Sequence, residues 1–463
     1  MTQALSIGAS AIEADTTAID TISENVANAQ TAGYVAESAQ LAALPGADGA
    51  GSGVEVVGIA QATSALLSAN NWQAQGELGN LGSLQQVLSS VESVFPLTTA
   101  ATTPASSGSG ISGQLATFWS SWDAIAQDPS STAPRLEVID NARVLAESLN
   151  EASTQLGQIA ANATSELTAD LAQVNTLLGQ VADLNRSIVV TKSSGGSPAQ
   201  LVDQLHAVLQ TLAQLVGVSV RTGEAGTADL SIGGVTVVQG TTASSLRRET
   251  QAGSSVVVAT PGSVTVPVSS GSVAGLLQSV NYYLPQYRSE LDKVAETLVT
   301  TVNSQLKKGY FSTGAAASPA TTPTTPSTYE LFTGTSAADI ALNPAVATHP
   351  ERLAVSATPG AAAANNGANA QAMAAHATSL TGPDGEYQNL VQNMGADAQS
   401  VNNQFAAQTS VATQAQSALQ AVTGVDVTAQ LTDLLNFQNS YQAAAKVISV
   451  VDAAVQSLLG AVQ

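Results

Sequence analysis

Cysteine is absent from all 463 residues, so neither a disulfide nor a thiolate metal site can be built. Charge is scarce too: Asp, Glu, Lys and Arg make up 10% of the chain, against roughly 25% in ordinary soluble domains. Ser, Thr, Asn, Gln and Ala occupy the surface instead, which suits a subunit that packs beside copies of itself. Positive charge is the scarcest, with 13 basic against 34 acidic residues and a net charge of -21. Nucleic acid is excluded as a partner, because affinity for phosphate needs a basic surface. The first basic side chain is Arg135, and beyond Arg352 there is only Lys446. Ion pairs therefore cannot join the chain ends; apolar seams and amide hydrogen bonds must. No apolar run reaches the roughly 18 residues of a membrane span. The nearest, Val447 to Val462, is broken by Ser449, Asp452, Gln456 and Ser457, so no membrane insertion is expected. With no basic region ahead of an apolar core, a cleaved secretory leader is not expected either.

The two ends carry matching heptad stripes. Leu5, Gly8, Ile12, Asp15, Ile19, Ile22, Val26 and Ala29 alternate three and four apart. Leu431, Leu434, Gln438, Tyr441, Ala445, Ile448, Asp452, Val455, Leu459 and Val462 keep the same rhythm. Such spacing puts each set on one narrow helical seam. The two seams can satisfy each other, and in a lattice they can satisfy neighbours.

Between the ends the pattern runs helix-rich, β-rich, then helix-rich again. The first helix is expected to end near Ala29, with Gly33 supplying a left-handed exit. A loose stretch from Leu44 to Gly58 holds a short strand at Val54–Val57, and helix resumes from Thr63 to Val94. Phe95 to Gly113 reads as a linker, followed by a helix bearing Phe118, Trp119 and Trp122. From Leu136 to Ile188 heptad spacing holds except for two successive gaps of four through Leu167 and Leu171, a slip that changes supercoiling without ending the helix. Ser193–Gly196 marks a boundary and a short helix runs from Pro198 to Val216. Alternating runs around Gly233-Gly234 then read as hairpins, with more β from Ser255 to Val268. Helix returns from Gly271 to Lys308, kinked at Pro285. Ala315 to Ser327 reads as a surface loop. A last helical stretch, Asn366 to Leu419, breaks at Thr381–Gly385, and Thr423-Gly424-Val425 hinges into the final helix.

Enzymatic signals are poor. His206, His349 and His376 are isolated, so no metal site is expected. Ser304 and Lys307 spell S-x-x-K without the companion elements of penicillin-binding enzymes. Gly233-Gly234 is not followed by a P-loop lysine. No catalytic residue, metal or cofactor is assigned.

Near the N-terminus, Asn25-Val26-Ala27-Asn28-Ala29-Gln30-Thr31-Ala32-Gly33-Tyr34 is similar to the N-I/V-A-N-x-x-T-P-G-Y signature of flagellar rod, hook and hook-associated proteins, with Ala32 in place of the proline. Thr423-Gly424-Val425-Asp426-Val427, then Gln438-Asn439-Ser440-Tyr441-Gln442-Ala443-Ala444-Ala445-Lys446-Val447-Ile448, resembles that family's closing pattern. Inside, Asp128-Pro129 before Arg135 resembles a feature of the hook-associated protein 1 branch. So do Val181 to Ile188, Leu201-Val202-Asp203-Gln204-Leu205, the Gly233–Gly240 hairpin, and Gly271–Gly309.

The resemblance implies a secreted structural subunit of the bacterial flagellum, at the hook–filament junction, exported by the type III route without a cleaved leader. Its implied partners are hook protein, hook-associated protein 3, copies of itself in a ring, and an export chaperone at the C-terminal helix. The implied fold is mainly α with a β-rich middle. Residues 1–45 and 425–463 would form a terminal coiled coil, 46–195 and 271–424 a long-helix domain, and 196–270 a small outer domain. The assembly interface expected on this reading is Leu5, Ile12, Ile19, Ile22, Asn25, Val26, Asn28, Gly33, Tyr34, Leu431, Leu434, Gln438, Tyr441, Ala445, Ile448, Val455 and Leu459. A hook or rod subunit of the same family, or a secreted adhesin with a coiled-coil stalk, are the alternatives.

Overall fold

The structure, a computed structural model, describes residues 2–31, 33–45, 51–95, 110–223, 226–251, 255–311 and 327–462. Helix α1 (Thr2–Asn28) leads into a hairpin of β1 (Glu37–Leu44) and β2 (Gly53–Gln61). Helices α2 (Ala65–Val94), α3 (Gly110–Gln127), α4 (Ala133–Ser193) and α5 (Ala199–Val216) follow. The middle is β: β3 (Ser219–Thr222), β4 (Ala228–Ile232), β5 (Val235–Gln239) and β6 (Thr242–Ala243) pair in sequence order as one antiparallel sheet. A second antiparallel sheet holds β7 (Arg247–Thr250), β8 (Val256–Ala259) and β9 (Thr265–Val266). The chain returns through α6 (Ser272–Gln278), a π turn at Ser279–Tyr283, and α7 (Leu284–Leu306). A small β10 (Phe332–Thr333) and β11 (Ala341–Leu342) pair comes next, then α8 (Pro344–Ala347) and α9 (Ala368–Ala374). Two long helices, α10 (Pro383–Thr423) and α11 (Val427–Val462), close it. The fold is mainly α with a β-rich middle.

Helix α4 runs 61 residues without a break, about 90 Å at 1.5 Å per residue. Its buried stripe passes through Ala163, Leu167, Leu171 and Val174, so the phase slip read from the sequence stays helical. It packs against α3 and α5, with α6 and α7 returning beside it. Helix α2 sits between α5 and α6 at backbone contact. A Cβ on Gly79 would lie 2.2 Å from the Gln214 carbonyl oxygen, and one on Gly275 would lie 2.3 Å from that of Asn80. One continuous apolar core runs from Leu84 to Val401 and takes in Phe118, Trp119 and Trp122. Neither α1 nor α11 contributes to it.

The kink expected at Pro285 is the π turn just ahead of it. Proline offers no N–H to the carbonyl four residues back, and the wider turn absorbs the mismatch. Gly233 and Gly234, at φ +52° and +83°, form the tight β4–β5 turn. Three boundaries differ from the sequence reading. Residues 37–44 and 53–61 pair as β1 and β2 rather than forming a loose stretch with one short strand, and both strands pack on α1. Residues 110–113 already belong to α3 rather than to a linker. Helix α10 begins at Pro383, inside the expected break, since proline suits a first helical turn. The tracts expected as loops at 96–109 and 315–326 lie outside the described residues, as does Ala32.

Candidate assembly interface

Helices α1 and α11 lie antiparallel along each other, fixed by contacts at both ends. At one end a Cβ on Gly8 would fall 2.8 Å from Cγ1 of Ile448. At the other, Asn25 Nδ2 donates to Gln430 Oε1 at 2.9 Å. The hairpin covers another side of α1, from Gly53 beside Ser10 to Glu37 beside Asn25. Between those contacts Ala14, Ala18 and Thr21 are buried. This second stripe, spaced four and three apart, was visible in the sequence as small residues but carried no apolar signal.

On α1, Gly8, Asp15 and Ile22 of the expected seam are buried, while Leu5, Ile12, Ile19, Val26 and Asn28 are half-buried. Asp15 is buried on this seam and its Oδ2 has no hydrogen-bond partner. On α11, Leu434, Ala445, Ile448 and Val455 are half-buried. Gln430, Phe437, Ala444 and Val451 are also half-buried, a flank the sequence reading passed over. Leu431 (47% exposed), Tyr441 (39%) and Gln438 face solvent. One flank of α11 thus meets α1 and the other is uncovered. The side chain of Leu459 lies outside the described residues.

Asn25 is the hub of the arm. It is fully buried, and its amide spends every hydrogen-bonding valence. Nδ2 donates to the Glu37 carbonyl (2.7 Å) and to Gln430; Oδ1 accepts from the Glu37 N–H (2.9 Å) and the Tyr34 hydroxyl (2.9 Å). One side chain therefore ties α1, β1, α11 and the turn after α1 together. That turn needs Gly33, whose φ is +83°. The Ala36 N–H then donates to the Thr423 carbonyl (2.8 Å), bringing the arm to the end of α10. Asp426 caps α11 by accepting from the Thr428 N–H at 2.9 Å.

Electrostatics at this joint are one-sided. Burial, with Glu37 and Glu24 nearby, pushes the Tyr34 hydroxyl up to about 12. Burial and then Glu24 push Glu37 above the usual carboxylate range. Asp203 on α5 rises to about 6, chiefly by burial and against the hydrogen bond from Gln61. No lysine or arginine among the described residues forms an ion pair with any of these.

The isolated histidines are placed apart: His206 beside Trp72 (ring centroids 6.2 Å apart), His349 against Glu351 (2.9 Å), and His376 near Trp119. Lys307 turns to Glu330 at 2.6 Å. Among the described residues no three or more His, Asp or Glu gather as metal ligands, and no helix is long and apolar enough to cross a membrane.

Comparison with known proteins gives matches in the order of the chain. Residues 100–319 match the family described as the flagellar hook-associated protein FlgK helical domain, and residues 415–461 the C-terminal domain of flagellar basal body rod FlgEFG proteins. Flagellar hook-associated protein 1 of Salmonella typhimurium is 27% identical over 66% of this chain and 56% of that protein. The chain thus spans little more than half the length of that relative. The protein of the same name from Bacillus subtilis is 24% identical over 96% of this chain and 94% of its own length. The solved flagellar hook junction protein FlgK from Burkholderia pseudomallei superposes with a TM-score of 0.62 at 16% identity, covering 77% of this chain and all of that one.

Proposed function

We propose, from the match of the helical middle and of the C-terminal end to flagellar axial protein families and from the similarity to hook-associated protein 1 of other bacteria, that it is a structural subunit of the bacterial flagellum, assembled between hook and filament. The observation that carries this reading is the closed arm. The first and last helices pack together through Gly8–Ile448 and Asn25–Gln430, outside the core of the body, and leave one apolar flank of α11 uncovered. Packing that flank against neighbouring copies builds a ring.

On this reading the arm, 1–45 with 425–463, is a coiled-coil assembly domain. Residues 46–195 with 271–424 form the long-helix domain, and 196–270 the outer β-rich knob. The interface comprises Leu5, Ile12, Ile19, Ile22, Val26, Leu431, Leu434, Gln438, Tyr441, Ala445, Ile448, Val455 and Leu459. Asn25, Asn28, Gly33 and Tyr34 hold the arm in shape. The partners are hook protein on one side, hook-associated protein 3 on the other, further copies of the chain, and an export chaperone on α11 beforehand. The role is architectural, without catalysis, and the site of action is the flagellum after export through the type III channel.

Electron microscopy of a strain deleted for this chain is the test. Intact hooks without filaments, restored by the gene in trans, are expected. Normal filaments on the deletion strain, with loss of surface adhesion instead, would favour the adhesin reading.

A further inference from the structure

Taken by packing, α1, the whole β1–β2 hairpin through Gln61 and α11 move as the arm, α5 belongs to the body it packs on, and the two touch through very few groups. The arm's helices and hairpin pack chiefly on one another. Across the joint Gln61 Nε2, at the end of β2, donates to Asp203 Oδ1 (2.8 Å) and to the Ala199 carbonyl (3.1 Å), both on α5. The Val35 N–H also bonds to Asp203. Beside this clasp lies an open crevice of about 700 Å³, walled on the arm side by Thr31, Gly33 and Tyr34 and on the body side by Trp72, His206 and Gln420. Together with the Ala36 N–H bonded to the Thr423 carbonyl (2.8 Å), this small clasp next to a void is the geometry of a hinge. Asp203 itself stands in the Leu201–Leu205 stretch, whose Leu205 is buried in the core while the carboxylate points to the joint.

We infer that Asp203 is the latch of a hinge between arm and body, holding the arm at one angle through Gln61 and the Val35 N–H. The charged and titratable groups coupled to it are Glu37 on β1 and Tyr34 in the turn after α1, which Glu24 adjoins in turn; His206 lies three residues on along its own helix, and no cation is paired to Asp203 among the described residues. The closed joint half-buries this carboxylate beside other carboxyl groups, and opening hydrates it. A proton on Asp203 therefore favours closure, and its loss favours swinging. Because the folded value is raised to about 6, closure is strengthened as pH falls through that value and weakened as it rises. The latch rests on the proposed junction role only for its use. A subunit seated between two unlike lattices must adopt more than one arm angle.

The experiment reads the hinge in the purified full chain. No native cysteine interferes, so Ser38→Cys on the arm and Ser187→Cys on α4 accept spin labels at exposed positions. The pulsed-EPR distance distribution is expected to narrow from pH 7.5 to pH 5.5. Asp203→Asn, an uncharged mimic of the protonated latch, should be narrow at both; Asp203→Ala should be broad at both. A distribution in Asp203→Ala at pH 5.5 as narrow as in the parent, or one that is broad at every pH in all three, overturns the latch. Filament restoration in the deletion strain is scored separately, so failure of the junction reading leaves the distance result standing.

Discussion

Asparagine holds helix to extended chain throughout this molecule. In five places one amide side chain on or beside a helix donates to the carbonyl and accepts the N–H of a single residue, as a neighbouring strand would. The pairs are Asn25 with Glu37, Asn175 with Leu246, Asn185 with Ala228, Asn281 with Val256, and Asn303 with Phe332. A chain with few charges fastens its parts by neutral amides, which need no counter-ion. Aspartate keeps the acceptor but loses the donor and sets a charge against a carbonyl. Asn185, fully buried and also bonded to the Gly240 carbonyl at 2.6 Å, is expected to lose about 3 kcal/mol or more as Asn185→Asp. The exposed Asn281→Asp is expected to lose far less. Denaturant midpoints of the two variants decide it, and equal losses would mean that the clamps are not ranked by burial. Gly33→Ala forces a side chain into φ +83° and should cost about 1–2 kcal/mol in the arm. Faster hydrogen exchange at Tyr34 and Glu37 would report that loss.

At the scale of elements, the proposed role makes assembly depend on the terminal helix pair. Ile448→Asp places a carboxylate against Gly8 and is expected to reduce incorporation more than tenfold, from a cost of roughly 2 kcal/mol or more. Lys446→Gln, at an exposed position, should change it little. Counting filaments in complemented strains separates the two; loss with Lys446→Gln alone would contradict packing as the cause. The helices themselves were legible because burial repeats every 3.5 or 3.6 residues, and α4 shows that stripe over most of its length. The hairpin was not. Its β1 is ESAQLAAL, with small residues where a strand usually shows β-branched ones, and it is held by α1 and Asn25 rather than by propensity. The covered flank of α11 escaped for a related reason. Leu434, Ile448 and Val455 are shared by two adjacent heptad stripes, and only the partner decides which neighbouring stripe is covered.

At the scale of the whole molecule the balance of charge sets the conditions of assembly. Each copy carries -21, and no basic residue precedes Arg135. Bringing arms together opposes like charges, and salt screens them over a Debye length of about 10 Å at 0.1 M. Light scattering of purified chain with its junction partners should therefore rise from low to moderate salt; a steady fall would mean that attraction between opposite charges dominates. Acid acts in the same direction on several carboxylates of the fold. Burial raises Glu37, Glu166, Asp170, Asp203 and Asp384 above the usual carboxylate range. At these carboxylates the folded chain holds more protons than the unfolded one, and their contribution is lost as pH rises through these values, with Asp203 at about 6 marking the upper edge; His206 and His376, pushed below the ordinary imidazole value by burial, give the opposite slope. Asp203→Asn isolates the carboxylate: its denaturant midpoint is expected to exceed the parent's by more at pH 8 than at pH 5.5, and the reverse order would refute that accounting.

Asn25 and Gln430 stand 405 residues apart in sequence and 2.9 Å apart between side chains. At roughly 5–20 residues per second, α1 leaves the ribosome about 20 to 80 s before its partner exists. Contacts of such separation form last, because loop closure comes before any reward. The arm therefore works as a clock. On the proposed role, a product that stalls before α11 has the body and the knob but no closed arm with which to join a ring, so incorporation would be withheld from unfinished chains without any separate proofreading step.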